Sequence, residues 1–279
     1  MRKNAKSRVG NFVLIFICFL IGFIFVFPVY WMVRSSFITV GDLYANPPVI
    51  IPTRITLDNY FSALNTIDFW NQLKNSLTIT VLWVVGSVVS SSMVAYAFSR
   101  IRFKFKNLWF TLILSTMMLP SAVTLIPVYM MWYKVGALNT FIPLTVPAFF
   151  GGGAYFIFML RQFFNTIPRE LDEAAKIDGA GYWCIFLRIL IPLVKPALIV
   201  VGLFSFVNSW NEFFNAIIYL TNPDLHTLTL GLYMFKGVYQ SNYGAVMALA
   251  TIVVIPSLIF FLIGNKYFVE GIALSGIKA

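Results

Sequence analysis

What most constrains this chain is a recurrence of apolar stretches that carry almost no charge. They lie at approximately 11–33, 75–98, 108–132, 141–162, 196–219 and 243–265. A helix needs about 20 apolar residues to cross the hydrocarbon layer of a bilayer, and each stretch is that long or longer. Charged residues make up 11% of the chain and hydrophobic ones 59%, whereas a soluble domain carries about 25% charged residues. The sequence therefore predicts an all-α, polytopic membrane protein with six transmembrane helices, forming one domain over 1–279. The charged start followed by an apolar run has the outline of a signal peptide. The run to Val33 is too long for one and no small-residue cleavage site is evident, so an uncleaved first helix is expected.

The bases set the orientation. Fifteen of the twenty Lys and Arg fall on one side, in clusters at 2–8, 100–106, 161–195 and 266–278. Arg34, Arg54, Lys74, Lys134 and Lys236 fall on the other. Positive charge accumulates on the cytoplasmic side of membrane proteins, so both termini and a loop at 163–195 are expected there. The net charge of +10 is accounted for by topology, and no nucleic-acid partner is implied. Cys18 and Cys184 offer no disulfide framework and read as free thiols.

The loop holds the longest charged interlude, Pro168 to Pro192. Pro168 suits a first helical turn. Glu170, Asp172 and Glu173 oppose the positive end of the helix dipole, and Asp172 and Lys176 stand at a favourable i,i+4 spacing. Leu171, Ala174 and Ala175 share a face with Asp178 below them. Gly179 supplies a left-handed stop. Such a helix, Pro168–Asp178, is roughly 16 Å long: too short to cross a membrane and suited to lie in a groove of another protein. A second short helix, Tyr182–Leu190, is expected to end at Pro192.

Within the spans, Gly86 with Ser90, Ser87 with Ser91, and Ser91 with Ala95 have the small-xxx-small spacing that lets helices approach closely. Packing inside the chain is the simpler use of that face, and a dimer contact the alternative. Pro120 and Pro127 are expected to bend the third span. Pro143, Pro147 and Gly151–Gly153 should make the outer half of the fourth irregular. Glu212 is the one carboxylate well inside an apolar span, where an ion is costly and a functional role is the default. Asn208, Glu212 and Asn215 fall on one helix face, with Asn211 beside them. They are read either as a clamp between helices or as polar residues of a translocation path. His226, in an outer loop, reads as a solvated side chain. No G-x-x-x-x-G-K-[ST] run is present, so no P-loop on this chain holds ATP. No Cys/His cluster suggests a metal and no acid–base set suggests a catalytic site.

The run Glu173-Ala174-Ala175, then Gly179, Ile189 and Pro192, resembles the EAA loop of importer permeases of the ATP-binding-cassette class. The Thr56–Tyr60 segment after Pro47-Pro48, Leu138-Asn139-Thr140, Trp210–Phe213 and the tail from Lys266 to Gly271 are similar to the carbohydrate-uptake subfamily, in its MalG-like member. The tail departs from the pattern in ending Lys278-Ala279. The resemblance implies a permease in a prokaryotic inner or plasma membrane, surrounded by lipid, that pairs with a second related permease. It also implies two ATPase subunits below, which bind ATP and magnesium so that this chain carries no cofactor, and an extracytoplasmic solute-binding protein that delivers a sugar, expected to be an oligosaccharide, above. By the same resemblance Leu171, Glu173, Ala174, Ala175, Asp178, Gly179 and Pro192 couple to the ATPases, and the loop at 220–242 lies where some relatives reach the binding protein. Two alternatives stay open: the same architecture carrying glycerol phosphate, peptides or amino acids, and a membrane-embedded enzyme using Glu212.

Overall fold

The structure is a computed structural model that describes residues 2–52, 54–238 and 242–276; side chains are described within 11–235 and 242–264. The terminal Lys278-Ala279, the side chains of Lys266–Gly271 and part of the 220–242 loop thus lie outside the described residues. What is described is almost wholly helical. The main elements are α1 (Arg2–Ser36), α2 (Asp58–Thr66), α3 (Phe69–Arg100), α4 (Lys106–Ser115), α5 (Ser121–Lys134), α6 (Ala154–Thr166), α7 (Glu170–Ile177), α8 (Lys195–Trp210), α9 (Phe214–Tyr219), α10 (Leu228–Val238) and α11 (Tyr243–Gly276). Among the described residues four helices are long and apolar enough to cross a membrane, or up to six if each of two bent pairs is one span.

The bends have local causes. Lys106–Met118 and Ser121–Lys134 meet at 102°. Leu119 is extended there, with ψ 118°, because the ring of Pro120 excludes the α region for the residue before it. Pro127, expected to bend the chain as well, sits inside α5 without interrupting it. The fourth span begins irregularly, as expected: short turns at Ile142–Thr145 and Val146–Phe149 precede three glycines with positive φ. The fifth departs from a continuous 196–219 helix. It breaks between Trp210 and Phe214, where the backbone N–H of Asn215 turns to the Glu212 side chain. The loop's second helix also differs from expectation. A π turn at Ile185–Leu190 lets it run past Pro192 to Leu193, and it then meets α8 at 80°.

The chain's contacts divide it into two compact units, residues 1–69 with 232–255, and 70–231 with 256–279. In the first, the end of α1 is closed by the motif that begins at Thr56. Asn59 donates from Nδ2 to the carbonyls of Ser36 (3.1 Å) and Ile38 (2.8 Å). The Ser36 carbonyl is one that a helix end cannot satisfy itself, and that of Ile38 lies in the bend just beyond. Tyr60 adds a hydroxyl bond to Ser36 at 2.8 Å and a ring contact to Phe37. Most apolar side chains on α1 between Val13 and Tyr30 are exposed.

In the second unit, α3 packs on the irregular start of the fourth span. Lipid is as apolar as leucine, so close fit and hydrogen bonds rather than burial hold such contacts. A Cβ on Gly86 would come within 2.8 Å of the Phe149 ring, and Ser90 Oγ donates to Ala148 O at 2.6 Å. The small residues of this helix thus serve packing inside the chain. At the other end of α3, a core of Ala95, Tyr96, Leu160, Phe164, Ala175, Ile185, Leu190 and Val201 joins α3, α6, α7, the 182–193 helix and α8.

Candidate functional site: a docking helix and a polar cavity

Helix α7 starts at Glu170, slightly later than the sequence suggests, and keeps Glu170, Asp172 and Glu173 in its first turn. Its end is a Schellman motif. Gly179 takes φ +81°; its N–H reaches Lys176 O at 3.0 Å, and the Ala180 N–H reaches Ala175 O at 2.9 Å. Ala180 then packs against the core, so the turn also anchors the helix.

The two faces of α7 differ. Asp172 and Ala175 point inward and are buried. Leu171, Glu173, Ala174, Lys176, Ile177, Asp178 and Gly179 are exposed, Ile177 at 87%. Of the residues expected on one coupling face, Ala175 therefore lies on the inner side, while Leu171, Ala174 and Asp178 lie outside with Glu173. Pro192 is exposed farther along the loop. The expected Asp172–Lys176 pair is not formed. Asp172 instead turns to Arg100, with Nη1 3.4 Å from Oδ2, while the Lys176 ammonium sits 5.6 Å over the Tyr182 ring. A buried carboxylate needs a buried partner, and the Lys176 side chain is exposed whereas Arg100 is buried with it.

A second feature is a cavity of about 240 Å³ in the same unit. Its wall includes Trp83, Trp132, Tyr219, Asn208, Glu212 and Asn215. The three polar residues come together although the helix breaks between them. Asn211 is exposed and is not part of the wall. Glu212 Oε1 accepts from Asn215 N at 2.9 Å, which holds the carboxylate at the start of α9. Amides, a carboxylate and indole faces together present hydrogen-bonding groups and flat apolar surface to one small volume, the mixed lining typical of ligand pockets.

The turns flanking this region are tied down by side chains. Asn139, at φ +55°, accepts at Oδ1 from Thr221 N (2.7 Å), Thr221 Oγ1 (2.9 Å) and Asn222 N (3.0 Å). Asn75 donates to the carbonyls of Asp224 and His226, and Asn71 to Asp224. His226 is half-buried rather than fully solvated. Burial lowers its pKa, against an opposing backbone hydrogen bond at Leu220.

The arrangement is that of a helical membrane protein with a short capped helix outside its candidate spans. Residues 76–273 match the family described as "Binding-protein-dependent transport system inner membrane component", and the chain belongs to that family. Among its relatives are the trehalose/maltose transport system permease protein MalG of Thermococcus litoralis, 33% identical over 281 residues covering 100% of this chain and 99% of that one. The arabinooligosaccharides transport system permease protein AraQ of Halalkalibacterium halodurans is 33% identical, covering 92% and 93%. The diacetylchitobiose uptake system permease protein DasC of Streptomyces coelicolor is 34% identical, covering 91% and 92%. The fold matches a chain of a crystal structure of a bacterial ABC transporter involved in the import of the acidic polysaccharide alginate. There the TM-score is 0.84 and the identity 24%, over 94% of this chain and 98% of the other. Membership of this family makes the chain a transport permease rather than the membrane enzyme that Glu212 alone allows.

Proposed function

We propose that this chain is one of two permease subunits of an ATP-driven, binding-protein-dependent sugar importer, and that α7 is the element gripped by its ATPase subunits. Several relatives are named for oligosaccharide or disaccharide transport, which supports sugar as the cargo. In this reading the loop at 163–195 faces the cytoplasm, the two ATPases bind ATP and magnesium there, and a solute-binding protein delivers sugar on the opposite side. The single observation that carries the docking role is the two-faced α7. Its inner face is anchored by Asp172 and Ala175, while Leu171, Glu173, Ala174 and Ile177 stand exposed on a capped helix. Movement of the ATPases would shift this helix and select between two arrangements of the spans.

Gly179 tests that role. Space around it is open, with nothing within 4 Å of an added Cβ, so Gly179→Val strains the turn without a clash. Left-handed backbone costs a residue with a side chain roughly 1–2 kcal/mol, enough to change an equilibrium about five- to thirtyfold. Expected is a loss of ATP-driven sugar uptake of that order with the transporter still present in the membrane. Uptake and ATPase co-purification both at the native level would count against the role.

The cavity is the proposed place where this chain touches sugar. Asn208, Glu212 and Asn215 offer hydrogen bonds, and Trp83 and Trp132 offer ring faces. Glu212→Gln retains an acceptor for the Asn215 N–H and removes the charge. Uptake by vesicles of radiolabelled maltose, trehalose and arabinooligosaccharides is expected to fall several-fold for whichever is carried, with assembly unaffected. Native uptake in both Glu212→Gln and Trp83→Ala would move the sugar path elsewhere.

A further inference from the structure

Helix α3 and helix α7 are far apart in sequence, yet one guanidinium joins them. The last carbonyls of α3 have no partners within the helix and collect cations. Arg161 Nε donates to Phe98 O at 3.1 Å, Arg169 Nη2 to Ser99 O at 3.4 Å, and Lys106 Nζ to Ser99 O at 3.4 Å and to Ile101 O, just past the helix, at 2.9 Å. In the opposite direction Arg100, at the end of α3, donates from Nη2 to Phe164 O (2.6 Å) and Ile167 O (2.7 Å), closing the end of α6. Its Nη1 lies 3.4 Å from Asp172 Oδ2 on α7. The Arg100 and Asp172 side chains are 4% and 11% exposed. A planar fork with five donors can serve two carbonyls and a carboxylate at once in a fixed geometry, where a lysine offers three donors on a single nitrogen.

Resting on the docking role assigned above to α7, we propose that Arg100 is the positioning residue for coupling: through Asp172 it makes α7 move as one body with α3 and α6. Apolar contacts such as that of Ala175 can slide as two elements shift. A buried ion pair backed by two hydrogen bonds to carbonyls resists sliding, because any displacement leaves a charge without its partner. The pair is thus the direct link by which a push on α7 reaches a membrane-spanning helix that is not its neighbour in the chain. Arg100 Nε and Asp172 Oδ1 have no protein partner. They stand beside a polar recess of about 250 Å³ lined by Arg102, Arg169, Glu173 and Lys176, with room for water to complete the set.

The test uses the whole transporter, assembled with its ATPase subunits, in a background lacking Cys18 and Cys184. One cysteine at Ile177 reports docking by cross-linking to the ATPases. Another at Phe214, exposed beside Asn215, reports the state of the spans by its rate of labelling with a fluorescent maleimide, with and without ATP and vanadate. Asp172→Asn keeps the side chain's shape and leaves Arg100 both carbonyls. Expected is a Phe214→Cys labelling rate that changes with nucleotide in the native pair, becomes independent of it in Asp172→Asn, and regains its dependence in Asp172→Glu, with the Ile177→Cys cross-link kept throughout. A structural role alone would lower the amount of assembled transporter and leave the nucleotide response of the remainder intact. That result, or a native response in Asp172→Asn, overturns the proposal. If the cross-link is missing with the native pair, the docking role itself fails, and this inference falls with it.

Discussion

Gly152→Val is expected to leave little or no folded protein in the membrane. Two independent costs coincide at this residue. Its φ of +65° is one that a β-branched side chain tolerates poorly, and a non-glycine residue held there costs about 1–3 kcal/mol. A Cβ would also stand 2.7 Å from both Cα and O of Ser87, which is backbone and cannot swing aside. Overpacking of this kind adds about 1–3 kcal/mol. Together, at about 2–6 kcal/mol, they reach the lower end of a typical domain's stability of about 5–15 kcal/mol. Gly22, whose Cβ would meet nothing within 4 Å, is the control, and Gly22→Ala should be close to neutral. Yield of monodisperse protein in detergent and its melting temperature separate the two. A Gly152→Val protein that melts with the native would remove the close approach of α3 to the glycine turn from this account.

Arg100→Ala should have the second-largest effect on stability. It strands the Asp172 carboxylate in a buried place and leaves the Phe164 and Ile167 carbonyls without their donor. Removing one member of a buried ion pair costs about 3–5 kcal/mol. Replacing both members by apolar residues of similar size is often nearly neutral, so Arg100→Met with Asp172→Leu should recover much of the melting temperature that Arg100→Ala loses. If coupling runs through the pair, the recovered protein still fails to move its spans in response to ATP. Stability and coupling are thereby separable in one series, and full recovery of both would show that the pair serves stability only.

How far the sequence carries depends on whether a feature is local. Helix α7 was legible because its signals are neighbours: acids in the first turn, a left-handed glycine at the end, and apolar residues at helical spacing. The bend at Pro120 was legible for the same reason, since a proline acts on the residue before it. The break at Asn211–Phe213 was not, because neither glycine nor proline marks it; the Glu212 carboxylate capping the next helix sustains it. Helical spacing pairs Asp172 with Lys176, a partner within one turn. Arg100 is a partner only once α3 and the loop are folded together, and base counting could place both on one side of the membrane without pairing them. The polar trio Asn208, Glu212 and Asn215 was found by helical periodicity. Trp83 and Trp132, which complete the cavity wall, come from other helices and carry no signal in their own surroundings.

The measurement that bears most directly on the account is the sidedness of Ile177. In a chain without Cys18 and Cys184, a cysteine at position 177 should resist a membrane-impermeant maleimide added to intact cells. It should react once the membrane is opened and the associated ATPases are washed away. Rapid labelling from outside intact cells would put α7 on the wrong side of the membrane for any nucleotide-driven partner, and the account would be contradicted.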